Sequence, residues 1–256
     1  MLAKVKIIAH WVLGFVAIIW LSAYTSSKVD DFICKHIEVK FVGKTEGQYL
    51  LSSKDVLNTI YDNEFIIVGK QIGEIDYDSI ENCLEKLSHV KNATVYSDYN
   101  GQLVVKILEP QPLLRFLPSD GYSSFIMDEE GGILPVSKNY SPSIPVITGN
   151  VGDLAKKNLG EKRAEFKADL FEYGLYLKEH PFWAAQIQQT NVDEKSDLQL
   201  VPRVGYHNIE LGKIRDFKKK FSKLKIFYTE GLRYTGWNKY SVIDLRYEDQ
   251  IVCTKR

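Results

Sequence analysis

Hydrophobic and polar positions fall into two regimes along this chain. The first is one unbroken apolar run, Ile7 to Tyr24 (IIAHWVLGFVAIIWLSAY), which holds no Asp, Glu, Lys or Arg. Lys4 and Lys6 precede it, and Lys28, Asp30 and Asp31 follow. As a helix from Val5 to Tyr24 it reaches about 30 Å, the thickness of a bilayer's hydrocarbon core. Trp11, Trp20 and Tyr24 suit the membrane interface, and His10 lies near the headgroups. A single transmembrane helix is the expectation. A cleaved signal peptide would need a small-residue site, which only Ser22-Ala23 and Ser26-Ser27 approach, and nothing downstream demands a buried core helix. The charge order places Met1 to Lys6 in the cytoplasm and everything after about residue 25 outside it.

The second regime is short strands and amphipathic helices. After a polar lead over 25–36, Ile37 to Gly43 alternates as a half-buried strand. Ser52 or Ser53 can cap a helix carrying Val56, Leu57 and Ile60, and Asp76 or Asp78 one carrying Ile80, Cys83, Leu84 and Leu87. Ala93 to Tyr96, the turn Asp98 to Gly101 and the return strand Gln102 to Glu109 complete the unit, with Pro110 and Pro112 ending it. Two amphipathic helices must then bury their stripes on one face of a three-stranded sheet.

After the prolines, Tyr122 to Met127 and Ile133 to Val136 read as a hairpin about the turn Asp128 to Gly132. Ser141 to Gly149 reads as an irregular edge segment. Phe166, Leu170, Tyr173 and Leu177 recur at helical spacing over Lys162 to Lys178, and Glu179-His180-Pro181 stops or kinks that helix. Phe182 to Ile187 restarts as a short helix or extended segment. Strands are expected over 186–192, 197–203, 207–211, 224–228 and 240–252, with one helix, Lys213 to Phe221, among them. The last strand alternates most clearly over Tyr240 to Tyr247; Asp249 can turn it, and Gln250 to Cys253 resumes an apolar strand. Ile243, Leu245 and Tyr247 share one face, and Asp244 and Arg246 the other, as neighbours for charges on adjacent strands. The fold class is therefore α+β: an N-terminal transmembrane helix (1–28), a small α/β domain (29–112) and a mostly antiparallel β domain with flanking helices (113–256).

Charge balances at 33 basic and 33 acidic residues. Without Lys4 and Lys6 the part beyond the span keeps 31 basic against 33 acidic, which disfavours a nucleic-acid binder. Cys34, Cys83 and Cys253 have no short spacing, so neither a disulfide framework nor a zinc site is indicated; small buried apolar roles suit them, with one bridge left open. No G-x-S-x-G, H-E-x-x-H or phosphate-binding loop motif occurs, and His10, His36, His89, His180 and His207 are dispersed. Asp128 with Glu129, or Glu172 with Glu179, could be imagined as an acid–base pair, although a turn gives Asp128 a plain structural use. Lys213, Arg215, Lys218, Lys219, Lys220, Lys223 and Lys225 form either the wet face of a helix packed by Ile214, Phe217 and Phe221 or a patch for an anionic polymer or lipid. No catalytic residue, cofactor, metal or small-molecule substrate is expected. A long alternating strand at a sheet edge can instead template a partner strand.

The order of these features resembles the FtsQ/DivIB family of bacterial cell-division proteins in its Bacteroidota form. Ile37-Glu38-Val39-Lys40-Phe41-Val42-Gly43 resembles the opening strand of that family's POTRA domain, and Leu87 to Val95 its second helix running into a strand. Val104 to Pro112 resembles its E-[RQ]-x-P junction, without the Arg that often follows the Glu. Phe125 to Gly131 resembles its [YF]-[LI]-[IV]-D-x-x-G hairpin, and Ser143 to Gly149 its P-x-[IL]-x-G stop. Leu200 to Gly212 resembles the paired strands before its last helix, and Gly236 to Tyr247 its terminal strand. The resemblance implies a non-enzymatic, single-pass inner-membrane scaffold of the divisome at the septum. It would bind FtsB/FtsL-like coiled-coil partners and link early division proteins to septal wall synthesis. It places partner binding on Tyr240, Val242, Ile243, Asp244, Leu245, Arg246, Tyr247, Gln250, Ile251 and Val252, with Tyr247 as the aromatic anchor, and leaves the POTRA-like part to other membrane division proteins. The alternatives are a POTRA-containing envelope assembly or transport chaperone, and an envelope enzyme such as a wall hydrolase.

Overall fold

Ser52 starts the first globular helix. Its Oγ accepts from the Asp55 amide (3.2 Å) while the Asp55 carboxylate accepts from the Ser52 amide (2.9 Å), a reciprocal cap that fixes the register of α1, Ser53–Asp62. Asp76 caps α2, Tyr77–Leu84, in one direction only, accepting from the amide and hydroxyl of Ser79. Val56 and Ile60 from α1, and Ile80 and Leu84 from α2, then fall on one buried stripe each. They pack against Val95, Leu103, Val105 and Ile107 of a three-stranded sheet. Its strands are β1 (His36–Val42), β2 (Asn92–Ser97) and β3 (Gln102–Leu108), ordered β1-β3-β2 with β1 parallel and β2 antiparallel to β3.

The computed structural model describes residues 10–20, 33–43, 47–119 and 121–256. The chain divides into two compact units, Met1–Glu109 and Pro110–Arg256. Of the expected span, 10–20 is helical, while 7–9 and 21–24 lie outside the described residues, as does most of the polar lead. Among the described residues no helix is long and apolar enough to cross a membrane. Cys34, Cys83 and Cys253 are all free.

The junction residue Glu109 is buried, and its two carboxylate oxygens accept from the amides of Leu50 (3.0 Å) and Leu51 (2.8 Å). It thus anchors the segment entering α1 to the end of the sheet without the Arg seen in the resembling motif. The outer side of β2 is closed by α2: Glu85 Oε1 accepts from the Ala93 amide (3.2 Å) and Glu81 Oε1 from that of Val95 (2.6 Å).

The second unit is a nine-stranded mixed sheet ordered β12-β11-β10-β9-β8-β7-β4-β5-β6. Its strands are β4 (Pro112–Pro118), β5 (Phe125–Asp128), β6 (Ile133–Pro135), β7 (Val146–Gly149), β8 (Ile187–Val192), β9 (Leu198–Pro202), β10 (Asn208–Gly212), β11 (Tyr240–Asp244) and β12 (Val252–Lys255). Three helices share its core: α3 (Glu161–Glu179), α4 (Pro181–Gln186) and α5 (Phe217–Ile226). Tyr173, Trp183, Phe217 and Phe221 interlock there, with Trp183 edge-on to Phe221 at 4.7 Å and the Tyr173 hydroxyl 2.9 Å from Thr190 Oγ1. Gly174 lets α3 settle on β4, since a Cβ there would lie 2.8 Å from the Leu114 side chain.

Several expectations are corrected. Pro112, read as ending the preceding strand, opens a further one, Pro112 to Pro118, paired with β5 and β7; its prolines occupy only the first and last positions, where no ladder is interrupted. Ser141 to Gly149 is not an edge segment, because β7 lies between β4 and β8 and runs parallel to both. Residues 224–228 are not a strand. The helix expected over Lys213 to Phe221 begins at Phe217 and continues through them into a π-turn, Phe227–Leu232, with Phe221, Leu224, Tyr228 and Leu232 buried at helical spacing.

Replacing Glu109 with Ala leaves two amides without their acceptor. The first unit should lose about 3 kcal/mol of stability, roughly the worth of two hydrogen bonds to a charged group, read as a lowered urea midpoint.

Candidate partner-binding edge

The terminal strand runs differently from its pattern. The strand expected to alternate through Tyr247 and turn at Asp249 is broken earlier, after Asp244, and the chain doubles back so that β11 is enclosed, parallel to β10 and antiparallel to β12. The cause is local. The Asp244 carboxylate accepts from the Arg246 amide (3.0 Å) and from its guanidinium (Nε 2.9 Å, Nη2 2.5 Å), an i to i+2 closure that competes with strand pairing. Asp244 and Arg246 therefore pair with each other and not with charges on adjacent strands. Asp244 is buried, and the guanidinium beside it holds its carboxyl below the usual range. The stem of Arg246 lies against Gly212, at φ +68°, where a Cβ would come within 2.7 Å of Arg246 Cγ.

The expected binding residues accordingly separate. Ile243, Asp244 and Leu245 are buried, so they are core and not contact surface, and the Leu245 amide donates to the Glu210 carbonyl (2.9 Å). Tyr240 and Val242 are half-buried in β11; Arg246, Tyr247 and Gln250 are exposed on the connection; Ile251 packs partly on the core; Val252 opens β12. Tyr247 lies outside both strands, on the loop between them. The pairs Asp244–Val252, Ile243–Cys253, Val242–Thr254 and Tyr240–Lys255 set the register. β12 closes the sheet order, and among the described residues no strand pairs with its outer side. Cys253, Thr254 and Lys255 were not among the expected binding residues; the turn signal at Asp249 and the apolar restart after it were the signs that pointed to them.

Helix α5 braces this end of the sheet. Lys223 Nζ donates to the carbonyls of Tyr247 and Glu248 (2.7 Å each), and Lys220 Nζ to those of Leu211 (2.8 Å) and Lys213 (2.7 Å). Burial pushes the Lys220 ammonium pKa down. Two lysines of the expected wet face thus serve as carbonyl clamps. A cleft of about 580 Å³ opens beside them, lined by Arg215, Lys219, Lys220, Lys223 and Arg246 together with Asp216, Glu248 and Asp249. An adjoining groove of about 440 Å³ is more apolar, with Ile226, Phe227 and Ile251 in its wall.

Asp128, Glu129 and Glu172, considered for catalysis, have structural partners. Asp128 accepts from the amides of Glu130 (2.9 Å) and Gly132 (2.7 Å), and Glu172 faces Lys218 at 3.5 Å. His207 Nε2 meets the Tyr228 hydroxyl at 2.9 Å, and burial lowers its pKa. His180 stacks on Tyr176 with ring centroids 3.9 Å apart. Among the described residues no group of three His, Cys, Asp or Glu is placed to hold a metal ion.

A βααββ unit followed by a helix-backed nine-stranded sheet defines a two-domain α+β architecture. Comparison with known families agrees with that division. Residues 32–108 match the POTRA-like domain, and residues 111–254 match the family described as FtsQ/DivIB, C-terminal related. The chain belongs to this FtsQ/DivIB family, whose members are division-site membrane proteins of a non-enzymatic, scaffolding kind. No individual curated protein matches the sequence.

Because the Asp244 carboxyl is held below its unfolded value by Arg246, it contributes stability above about pH 4, and that contribution fades as pH falls further. Asp244→Asn should lower the second unit's stability at pH 7, with the gap from wild type narrowing below about pH 4. Thermal melts across pH 3 to 7 measure this; a gap independent of pH would contradict it.

Proposed function

We propose that this chain is a single-pass inner-membrane scaffold of the divisome. Its N-terminal apolar run anchors it, and its periplasmic units bind FtsB/FtsL-like coiled-coil proteins, linking early division proteins to septal wall synthesis. The observation that carries the reading is the open outer side of β12 in a chain of the FtsQ/DivIB family. A partner strand laid there would gain backbone hydrogen bonds without any induced change in this sheet, while side chains around the cationic cleft and the groove at Ile251 would choose the partner. This narrows and shifts the contact region from Tyr240–Val252 to Val252–Lys255, with exposed Tyr247 retained as a flanking aromatic.

The POTRA-like unit supplies a second docking surface for other membrane division proteins. Glu81 and Glu85 already occupy amides on the outer side of β2, which directs such pairing to the outer side of β1.

Adjacent residues of a strand aim their N–H groups in opposite directions. Proline placed in turn at Cys253 and at Thr254 therefore removes an outward amide in one variant and a β11-facing amide in the other. The outward variant should cut co-purification of the FtsB-like partner from solubilised membranes at least tenfold while the protein still localises to mid-cell membranes. Undiminished capture by both variants would sink the β12 assignment.

A further inference from the structure

One end of the POTRA-like sheet gathers apolar side chains in water. β1 begins at His36 and β3 at Gln102, paired in parallel register, and β2 finishes at Ser97, so the entering chain and the Asp98–Gly101 turn share that end. Backbone bonds bind the two: the Lys35 amide donates to the Gly101 carbonyl (2.9 Å). The loop after α1 is tied to the same place. The Cys34 amide donates to Lys70 O (2.9 Å), the Gly69 amide donates to Cys34 O (2.8 Å), and Ile33 bridges Gln71.

Four side chains project there: Ile33 is 54% exposed, Ile66 80%, Val68 50% and Tyr99 83%. They do not collapse inward because Ile67, between two of them, is buried in the core and Gly69 turns the backbone at φ +87°. Lys35 and Lys70 flank them. Asp98 at that end accepts from the amides of Asn100 and Gln102 within its own turn (2.9 Å each). Asp76, which with Glu64 lines a shallow pocket beside Ile66 and Lys70, accepts from Ser79 as the cap of α2.

We propose that this end of the POTRA-like unit is a membrane-contacting face, its apolar tips entering the headgroup layer of the bilayer that holds the N-terminal run. The inference rests on reading Ile7 to Tyr24 as a span. Ile33 follows Tyr24 by nine residues, a reach of about 30 Å at full extension, and the projecting end is the one at which the chain enters. Branched aliphatic tips, one tyrosine and two lysines are the side chains an interface accepts: the apolar parts enter, the phenol remains at headgroup depth, and the ammonium groups reach phosphates.

The test uses the full chain in vesicles of phosphatidylethanolamine and phosphatidylglycerol carrying a nitroxide-labelled lipid. An environment-sensitive fluorescent amino acid replaces Ile66, Tyr99 or, at the far end of β1, Val42, which is 45% exposed. Quenching at positions 66 and 99 should exceed that at 42 at least twofold, and Ile66→Asp with Val68→Asp should reduce quenching at 99. Equal quenching at all three positions, with the chain still resisting alkaline extraction, would overturn the contact face and leave the anchor intact, assigning these tips to a protein partner. Release of the chain at alkaline pH would overturn the anchor, and the contact face with it.

Discussion

The closure of Asp244 on Arg246 is the interaction on which the binding end of this molecule depends. It turns the chain out of the sheet at a point where the alternation of side chains alone would carry the strand on to Tyr247. The chain thus leaves the sheet after five residues of β11, Leu245 seals the core, and a short second strand returns to cover the ladder. Lys223 holds the intervening carbonyls in place, so the outermost strand is presented on a braced support and not on a loose tail.

Edge management elsewhere makes that strand stand out. In the first unit β2 has two of its amides satisfied by helix carboxylates. In the second unit the opposite end of the sheet is β6, three residues long and finished by Pro135. Short strands, proline and covering side chains all discourage pairing at those places. β12 is itself only four residues long, but it contains no proline, and its exposed residues are Val252, Thr254 and the single charge Lys255.

Much of the first unit was legible because local and long-range signals coincide there: the caps at Ser52 and Asp76, the helical stripes, and the Asp98–Gly101 turn all agree with the sheet they build. The second unit was legible where a turn separates two apolar runs, as in the hairpin through Asp128, whose first strand is buried throughout, and where alternation reports burial on one face, as in β9. It was opaque where pairing is parallel and both faces are covered, because β4 and β7 then read as proline-flanked apolar scraps. The run Leu224 to Tyr228 misleads for a related reason: its local alternation mimics a strand, and only the wider spacing through Leu232 discloses the helix and π-turn. In the tail the residues were right and the geometry was not. Asp244 and Arg246 fit a shared strand face as well as they fit a turn, and nothing in the pattern decides between pairing across strands and pairing along the chain.

The continuity of the nine-stranded sheet has a mechanical consequence. Ladder hydrogen bonds lie across the strands, so a load along β12 is shared by its whole ladder at once, whereas a load normal to the sheet peels the bonds one after another. A ligand strand joined to β12 would inherit the same anisotropy. Its grip would be firm against tension directed down its own axis and weak against being lifted away, so the direction of pull, as much as affinity, would decide how long such a junction survives.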